Sequence, residues 1–507
     1  MATAAVHGIG GMIVHVETDV CNGMPDFEMV GILSSEVREA KARIRSAIRN
    51  AAFTLPAKKV TVNLYPADIR KSGTGFDLPM ALSVLAANGF LNMSQREQTL
   101  FLGEITLSGE LRPIHGILPM ILAAREAGYT CAVVPKENAG EAGIVQGIKI
   151  CGAISLAQVV AWLNGTEQLE TIPADVITKT QRKQAAIDFS EINGQRFLRR
   201  ACEVAAAGMH NMMMIGPPGS GKTMAARALP GILPPLREEE QIEIAKIYSV
   251  SGRFAERRDR MSERPFQSPH FSVTRTALVG GGRYPSPGQI SLAHKGILFL
   301  DELTEYDKSV LEQLRQPLEE RRIHLVRASG SYTFPSDFML VAAMNPCSCG
   351  YYPDLERCTC TQSDIQRHLA KISRPLLDRI DLFVEAPRVS YRELVSLSEN
   401  ESSETIRSRV IGAHNLQKER YLGETFSYNS RIPQDKLKTY CIMTPEAERM
   451  LARAFDDLDL SARGYHRLIR VARSVADLDS SREIKGIHMQ ETLLYRSIND
   501  RLWRKGL

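Results

Sequence analysis

Apolar and polar positions alternate from Ile13 to Val20, the period of a strand with one buried face. From Ser35 to Asn50 the spacing becomes helical, with Val37, Ala40, Ile44, Ala47 and Ile48 on one side and Arg38, Lys41, Arg45 and Arg49 on the other. A basic stripe of that kind is either a solvated face or a surface for nucleic acid or another partner. A second strand over Lys59 to Leu64, the turn-rich stretch Ile69 to Pro79 and an apolar helix running to Gly89 complete an α+β pattern. Between Glu167 and about Ala186 the chain is polar and charged without a period, as a linker is. Ala201, Val204, Ala205 and Ala206 then mark a small-residue helix within Phe189 to Gly208. Three short apolar runs follow, Met212 to Ile215, Gly296 to Leu300 and Phe338 to Met344, each reading as a buried strand. Arg321 to Phe334 alternates about Ser329-Gly330 and predicts a β-hairpin. From about Val389 the pattern is helical, for example at Leu451, Ala454, Phe455 and Leu458. The expected organisation is an α+β domain over 1–166, a linker over 167–188, an α/β core over 189–388 and a helical lid over 389–507.

Bulk properties change this picture little. A chain of 507 residues is too long for one core, and about three domains is the ordinary expectation. Hydrophobic residues at 44% and charged residues at 24% exclude fibrous and disordered classes. A net charge of +5 is small for the length, so any basic surface is local. Met1 to Gly11 lacks a basic leader and no window suits a membrane span, so the expectation is a cytoplasmic protein without membrane partners. Nine cysteines without a secretory signal argue against a disulfide framework. Cys21, Cys131, Cys151, Cys202 and Cys441 are scattered, as core thiols are.

The chemistry starts at Gly216-Pro217-Pro218-Gly219-Ser220-Gly221-Lys222-Thr223, a full G-x-x-x-x-G-K-[ST] loop between the Met212–Ile215 strand and a helix from Met224 to Leu229. In such a loop backbone N–H groups cradle a polyphosphate, the lysine reaches the β- and γ-phosphates and the hydroxyl ligates Mg²⁺. ATP and Mg²⁺ are the expected cofactors. The Gly296–Leu300 strand ends in Asp301 and Glu302. Asp301 suits Mg²⁺, directly or through water, and Glu302 suits the water that attacks the γ-phosphate.

Asn345, at the end of the third apolar run, stands where AAA+ ATPases keep the polar sensor 1 residue. Arg374-Pro375-Leu376-Leu377-Asp378-Arg379-Ile380-Asp381 resembles the arginine-finger segment of the AAA+ branch that contains MCM helicases and magnesium chelatase. That match implies that Arg379 reaches the site of a neighbouring subunit; a plain ion pair with Asp378 or Asp381 is the alternative. Ser461 to Arg467 resembles a sensor 2 helix, which points to Arg467 as a γ-phosphate contact, with Arg463 and Arg470 as competitors.

Lys222 to Asp301 spans 79 positions, wider than a minimal P-loop core, and holds the Gly/Pro-rich loops Arg264 to His270 and Gly280 to Gly288. In ring-shaped members of this branch such loops and hairpins face the pore, where Arg283, Arg322 and Arg327 would meet a DNA backbone; a purely structural hairpin is the alternative.

Gly109 to Ala142, and the turn near Gly73, resemble the proteolytic domain of Lon proteases, which implies the fold shared with ribosomal protein S5. The catalytic positions differ. Gly75 stands at the place of the nucleophilic serine, and Leu118 and Met120 at the two lysine positions, so a Ser/Lys dyad is missing and peptidase activity is disfavoured. Ser72 is one substitute nucleophile without a recognisable base.

Cys347-Ser348-Cys349 and Cys358-Thr359-Cys360, separated by eight residues, can give four thiolates to one tetrahedral Zn²⁺; unmetallated or redox-active thiols are the other reading. A four-thiolate set leaves no open position, so the role of such an ion is structural.

Taken together, these features resemble the ComM/YifB family of magnesium-chelatase-like bacterial proteins over essentially the whole chain. The resemblance implies a homo-hexameric ATP-dependent DNA helicase that promotes branch migration while single-stranded DNA is integrated in natural transformation, with single-stranded and branched DNA and recombination proteins as partners. A magnesium-chelatase-type remodelling motor and a Lon-like ATP-dependent protease are the other function classes.

Overall fold

The structure is a computed structural model, described here for residues 1–67, 70–92, 98–173, 187–282, 285–327, 330–391, 400–458 and 460–503. In the N-terminal region the strands are β1 (Ala2–His7), β2 (Gly10–Cys21), β3 (Asp26–Val30), β4 (Lys59–Tyr65), β5 (Thr99–Phe101), β8 (Cys131–Pro135), β9 (Lys149–Ala153) and β10 (Glu170–Ile172), with the small pair β6 (Glu104–Ile105) and β7 (Leu111–Arg112). Its helices are α1 (Ser35–Asn50), α2 (Asp77–Ala87), α3 (Ile117–Glu126), α4 (Ala139–Ala142) and α5 (Leu156–Leu163). The eight-stranded sheet runs β10-β9-β8-β5-β1-β2-β4-β3.

The alternation over Ile13 to Val20 lies within β2, where Val14 and Val16 are buried. Helix α1 starts at its capping residue Ser34, whose hydroxyl accepts from the Val37 N–H, and buries the five apolar positions read from the spacing. β10 extends this sheet by pairing antiparallel with β9, within the segment expected to be linker. Glu170 and Thr171 are exposed there, so the short strand left no hydrophobic signature.

The second region holds a five-stranded parallel sheet with helices on its faces. After α6 (Arg196–Gly208) come β11 (Met212–Ile215), α7 (Lys222–Ile232), α8 (Glu238–Val250) and β12 (Phe266–Gln267). β13 (Gly280–Gly281) and β14 (Ser286–Pro287) pair with each other, followed by β15 (Ile297–Leu300), the hairpin β16 (Arg322–Arg327) and β17 (Gly330–Pro335), β18 (Met339–Met344) and β19 (Leu382–Glu385). The order β12-β15-β18-β11-β19 puts the strand leading to the phosphate loop between those ending near Asn345 and Ala386. β11, β15 and β18 are buried along their whole length, as the continuous apolar runs require of strands covered on both faces. β12 is an edge strand, formed by two residues of a segment whose Gly/Pro content predicted a loop.

The C-terminal helices Ser403–Arg420, Pro445–Asp457, Ala462–Leu478 and Gly486–Trp503 pack on one another and on α6 and β19. Helix α8 projects from the ATPase region onto α3 of the first: Ala245 joins the core formed by Ile117, Leu118 and Ile121, and Ser249 accepts the Gly116 N–H at 3.0 Å through its carbonyl and the Leu118 N–H at 3.2 Å through its hydroxyl. No helix among the described residues is long and apolar enough to cross a membrane.

Candidate functional site

β11 delivers the chain into the phosphate loop. Gly216 is a glycine because a Cβ there would sit 2.0 Å from the Ala386 carbonyl oxygen on the neighbouring strand. Gly219 and Gly221 adopt left-handed φ of 74° and 85°, which turn the backbone into α7. The Lys222 ammonium donates to the Gly216 and Pro217 carbonyls at 2.7 and 2.8 Å and stands 3.3 Å from Asn345 Oδ1. Burial pushes its pKa down to about 8, against the opposing pull of Asp301 and Glu302.

Thr223 Oγ1 donates to Asp301 Oδ2 at 2.7 Å, so two oxygen ligands of the hard-cation type meet at the first turn of α7. Glu302, the next residue, is exposed and holds a left-handed φ of 50°. Such a backbone is costly for a residue with a side chain and recurs at active sites. Lys222, Thr223, Asp301 and Asn345, scattered over more than a hundred positions, therefore form one cluster, with Glu302 at its rim.

Arg379 and Arg467 lie elsewhere. Asn211, at the start of β11, binds Asp381 through its backbone N–H at 2.9 Å and the Arg379 carbonyl through its side-chain amide at 2.9 Å. Arg467 Nε stands 3.5 Å from Asp381 Oδ1, and its Nη1 is buried without a hydrogen-bond partner. Five residue steps along β11 separate Asn211 from Gly216, roughly 16 Å of strand. Both arginines thus sit at the edge of the sheet opposite their own phosphate loop. They line a cavity of about 380 Å³ with Arg321, Arg431, Arg463 and Arg470. Burial pushes Arg467 and Arg321 down to about 10, by more than the neighbouring Asp381 and Asp337 carboxylates offset. Arg379 instead pairs with Glu319, at 2.6 Å, rather than with either neighbouring aspartate.

The cysteine loop follows Asn345 directly. Cys347, Cys349, Cys358 and Cys360 bring their sulfurs within 4.8 Å of one another. The separations Cys347–Cys349, Cys347–Cys358 and Cys349–Cys358 are 3.3, 3.7 and 3.6 Å. Four thiolates on one tetrahedral zinc, each at about 2.3 Å, would stand about 3.8 Å apart, so the donor set fits that ion. The Tyr352 N–H donates to Cys347 Sγ at 3.4 Å, as outer-shell donors to thiolates do. The loop rests on the phosphate loop: a Cβ at Gly350 would meet Pro218 Cδ at 2.6 Å.

Arg322 and Arg327 are exposed at the two ends of β16, and β17 carries Tyr332, whose ring stacks on His7 at 5.2 Å. Arg327 lies against the β13 backbone. Arg283 and the hairpin residues Ala328 and Ser329 lie outside the described residues.

Residues 16–138, 188–394 and 400–496 match three family descriptions: "Subunit ChlI of Mg-chelatase", "Magnesium chelatase, subunit ChlI" and "Magnesium chelatase, subunit ChlI C-terminal". YifB of Salmonella typhimurium is 41% identical over 502 residues, covering 99% of this chain and 97% of its own. Competence protein ComM of Haemophilus influenzae is 39% identical over 500 residues, covering 97% and 96%. A Lon protease 3 of Sorangium cellulosum is 28% identical over 140 residues, 26% of this chain and 17% of that one. With a parallel P-loop sheet behind a Lon-like α+β region, and relatives of this identity along nearly their full length, the chain belongs to the ComM/YifB family of magnesium-chelatase-like AAA+ ATPases.

Proposed function

We propose that this chain is the subunit of a homo-hexameric, ATP-driven DNA helicase that acts in the cytoplasm and promotes branch migration as single-stranded DNA is integrated during transformation. The observation that carries the assembly is the placement of Arg379 and Arg467 at the sheet edge opposite their own phosphate loop. A cleft with unsatisfied guanidinium groups is an acceptor for phosphate supplied by another subunit, and an arginine provided in trans is worth about 10³ to 10⁵ in rate. Hydrolysis then depends on a ring.

Within one site the roles divide by position. Backbone N–H groups of Gly216 to Gly221 and the Lys222 ammonium hold the triphosphate, Glu302 orients and deprotonates the attacking water, and Asn345 fixes it toward the γ-phosphate. Thr223 and Asp301 would hold Mg²⁺, which would supply charge neutralisation on the triphosphate. The cysteine set would hold a structural zinc, and Cys347 to Cys360 would then be pinned beside Asn345 and the phosphate loop.

The DNA reading draws support from the relative named a competence protein and from the exposed Arg322 and Arg327 on the inserted hairpin. The chelatase family descriptions favour a second reading, a motor that remodels a metal-inserting partner, which binding to a chelatase subunit would reveal. Gly75, Leu118 and Met120 weigh against a Lon-like protease. The deciding experiment is ATP-dependent branch migration on a synthetic three- or four-strand junction. Glu302→Gln is expected to keep DNA binding and lose migration; equal activity in both proteins sinks the mechanism.

A further inference from the structure

Where the N-terminal domain faces the inserted hairpin there is a cavity of about 540 Å³. Gly75 and Met120, which occupy the serine and one lysine position of the Lon pattern, both line it, so these replaced positions share one cleft.

One wall of this cleft is an open strand edge. Met1 and Val16 exchange both of their backbone hydrogen bonds, at 2.8 and 2.7 Å, and the same register pairs Ala4 with Ile13 and Val6 with Gly11. Hydrogen-bonded and non-hydrogen-bonded pairs alternate along an antiparallel ladder, so the amides of Ala2, Ala4 and Val6 point away from β2. Ala2 meets Leu100 of β5. Beyond that point β5 diverges, and the Gly103 N–H donates to the Gly75 carbonyl instead, at 3.1 Å. The Ala4 carbonyl and both backbone groups of Val6 are left without a hydrogen-bond partner among the described residues, and both residues line the cavity.

We propose that this cavity binds an extended polypeptide segment, which adds to β1 as a short extra strand. One residue of the occupant donates its N–H to the Ala4 carbonyl and accepts the Val6 N–H, the pairing by which extended peptides join a sheet edge. Phe76, Ile114 and Met120 provide an apolar floor for its side chain. Pro285, Ser286 and Tyr332 close the far side, and Tyr332 is held there by its stack on His7. An occupant therefore touches the N-terminal domain and the ATPase insertions together. Among the described residues a phosphate backbone suits the cleft less well: Glu36 lines it beside the Gly73 N–H, and Glu104 is bound to the lining Thr74 hydroxyl, against Arg70 as the one arginine or lysine described in the lining.

The proposal is independent of the DNA reading and its test uses neither nucleotide nor junction. An array of overlapping dodecapeptides from β-casein is incubated with the full-length protein, and the best fluorescein-labelled binder is titrated by anisotropy. Wild type is expected to bind without cleaving. Val6→Pro removes an N–H that the β2 ladder does not use, and is expected to weaken binding by about tenfold, the loss of one strand-edge hydrogen bond and its register. Gly75→Leu, filling the cleft, is expected to abolish it, with circular dichroism melting used to confirm that both variants fold. Absence of any binding peptide, equal affinity in the folded variants, or displacement of the peptide by oligothymidylate overturns the proposal.

Discussion

Arg379 Nη2 lies 2.6 Å from Glu319 Oε1, and Arg463 Nη2 stands 3.5 Å from the same oxygen. Glu319 is half exposed, so this pairing contributes little to stability. On the proposed role in trans, the pair would hold the Arg379 guanidinium in the cleft until a neighbour's phosphate competes for it. Arg379→Ala is expected to cut turnover of the assembled protein by about 10³. Glu319→Gln is expected to raise turnover at protein concentrations where rings are scarce, and to leave nucleotide affinity unchanged. Steady-state hydrolysis measured against protein concentration tests both, and wild-type turnover in Arg379→Ala would remove the trans role.

Lys222 gives the nucleotide site a pH signature. Its pKa stands near 8 because of burial, and a bound triphosphate favours the charged form. Below about pH 8 the ammonium is already charged. Above it, binding must also recruit a proton, so affinity for a non-hydrolysable ATP analogue is expected to fall by up to about tenfold per pH unit until the pKa of the complex is reached. Lys222→Arg should shift this fall upward in pH. Calorimetric titration across this range checks it, and a flat profile in wild type contradicts the assigned pKa.

The cysteine loop predicts one zinc per chain by elemental analysis. Cys347→Ser with Cys349→Ser should abolish it and lower the melting temperature. Because Cys347 is two residues from Asn345 and Gly350 rests on Pro218, the same variant should also lose ATP turnover by at least about tenfold. Stoichiometric zinc in the double variant, or none in wild type, would exclude the four-thiolate site.

Much of the phosphate-loop cluster was legible because its residues follow local patterns. Gly216 to Thr223, Asp301-Glu302 and Asn345 each follow an apolar run, and a buried strand fixes where its end must point. The relation of Arg467 to this cluster was not legible, because it depends on Asn211 and Asp381 meeting at the far end of β11, a contact between residues 170 positions apart. Helix α8 was missed for a similar reason. The sequence showed a wide insertion after Lys222, but nothing in its periodicity names α3 as the surface that covers Ala245. β10 escaped because three mostly polar residues at a sheet edge carry no period.

That unforeseen α8 contact carries its own titratable group. Glu141, in α4, is largely buried against Ser249 of α8, and burial raises its pKa to about 7, with Oε1 left unpartnered. The folded value exceeds the ordinary carboxylate value near 4.5, so the fold prefers the protonated acid. The stability this gives is present in full below about pH 4.5 and is lost as pH rises through about 7. Wild type is therefore expected to lose on the order of 1 to 3 kcal/mol between about pH 5 and pH 8 from this group. Glu141→Gln stays neutral, keeps a group able to bond Ser249, and should be the more stable protein at pH 8 with a flatter dependence on pH. Calorimetric melting at the two pH values decides it. Equal slopes in both proteins would mean that the Glu141 carboxylate reaches solvent, and that the seam between α3 and α8 opens more readily than its packing implies.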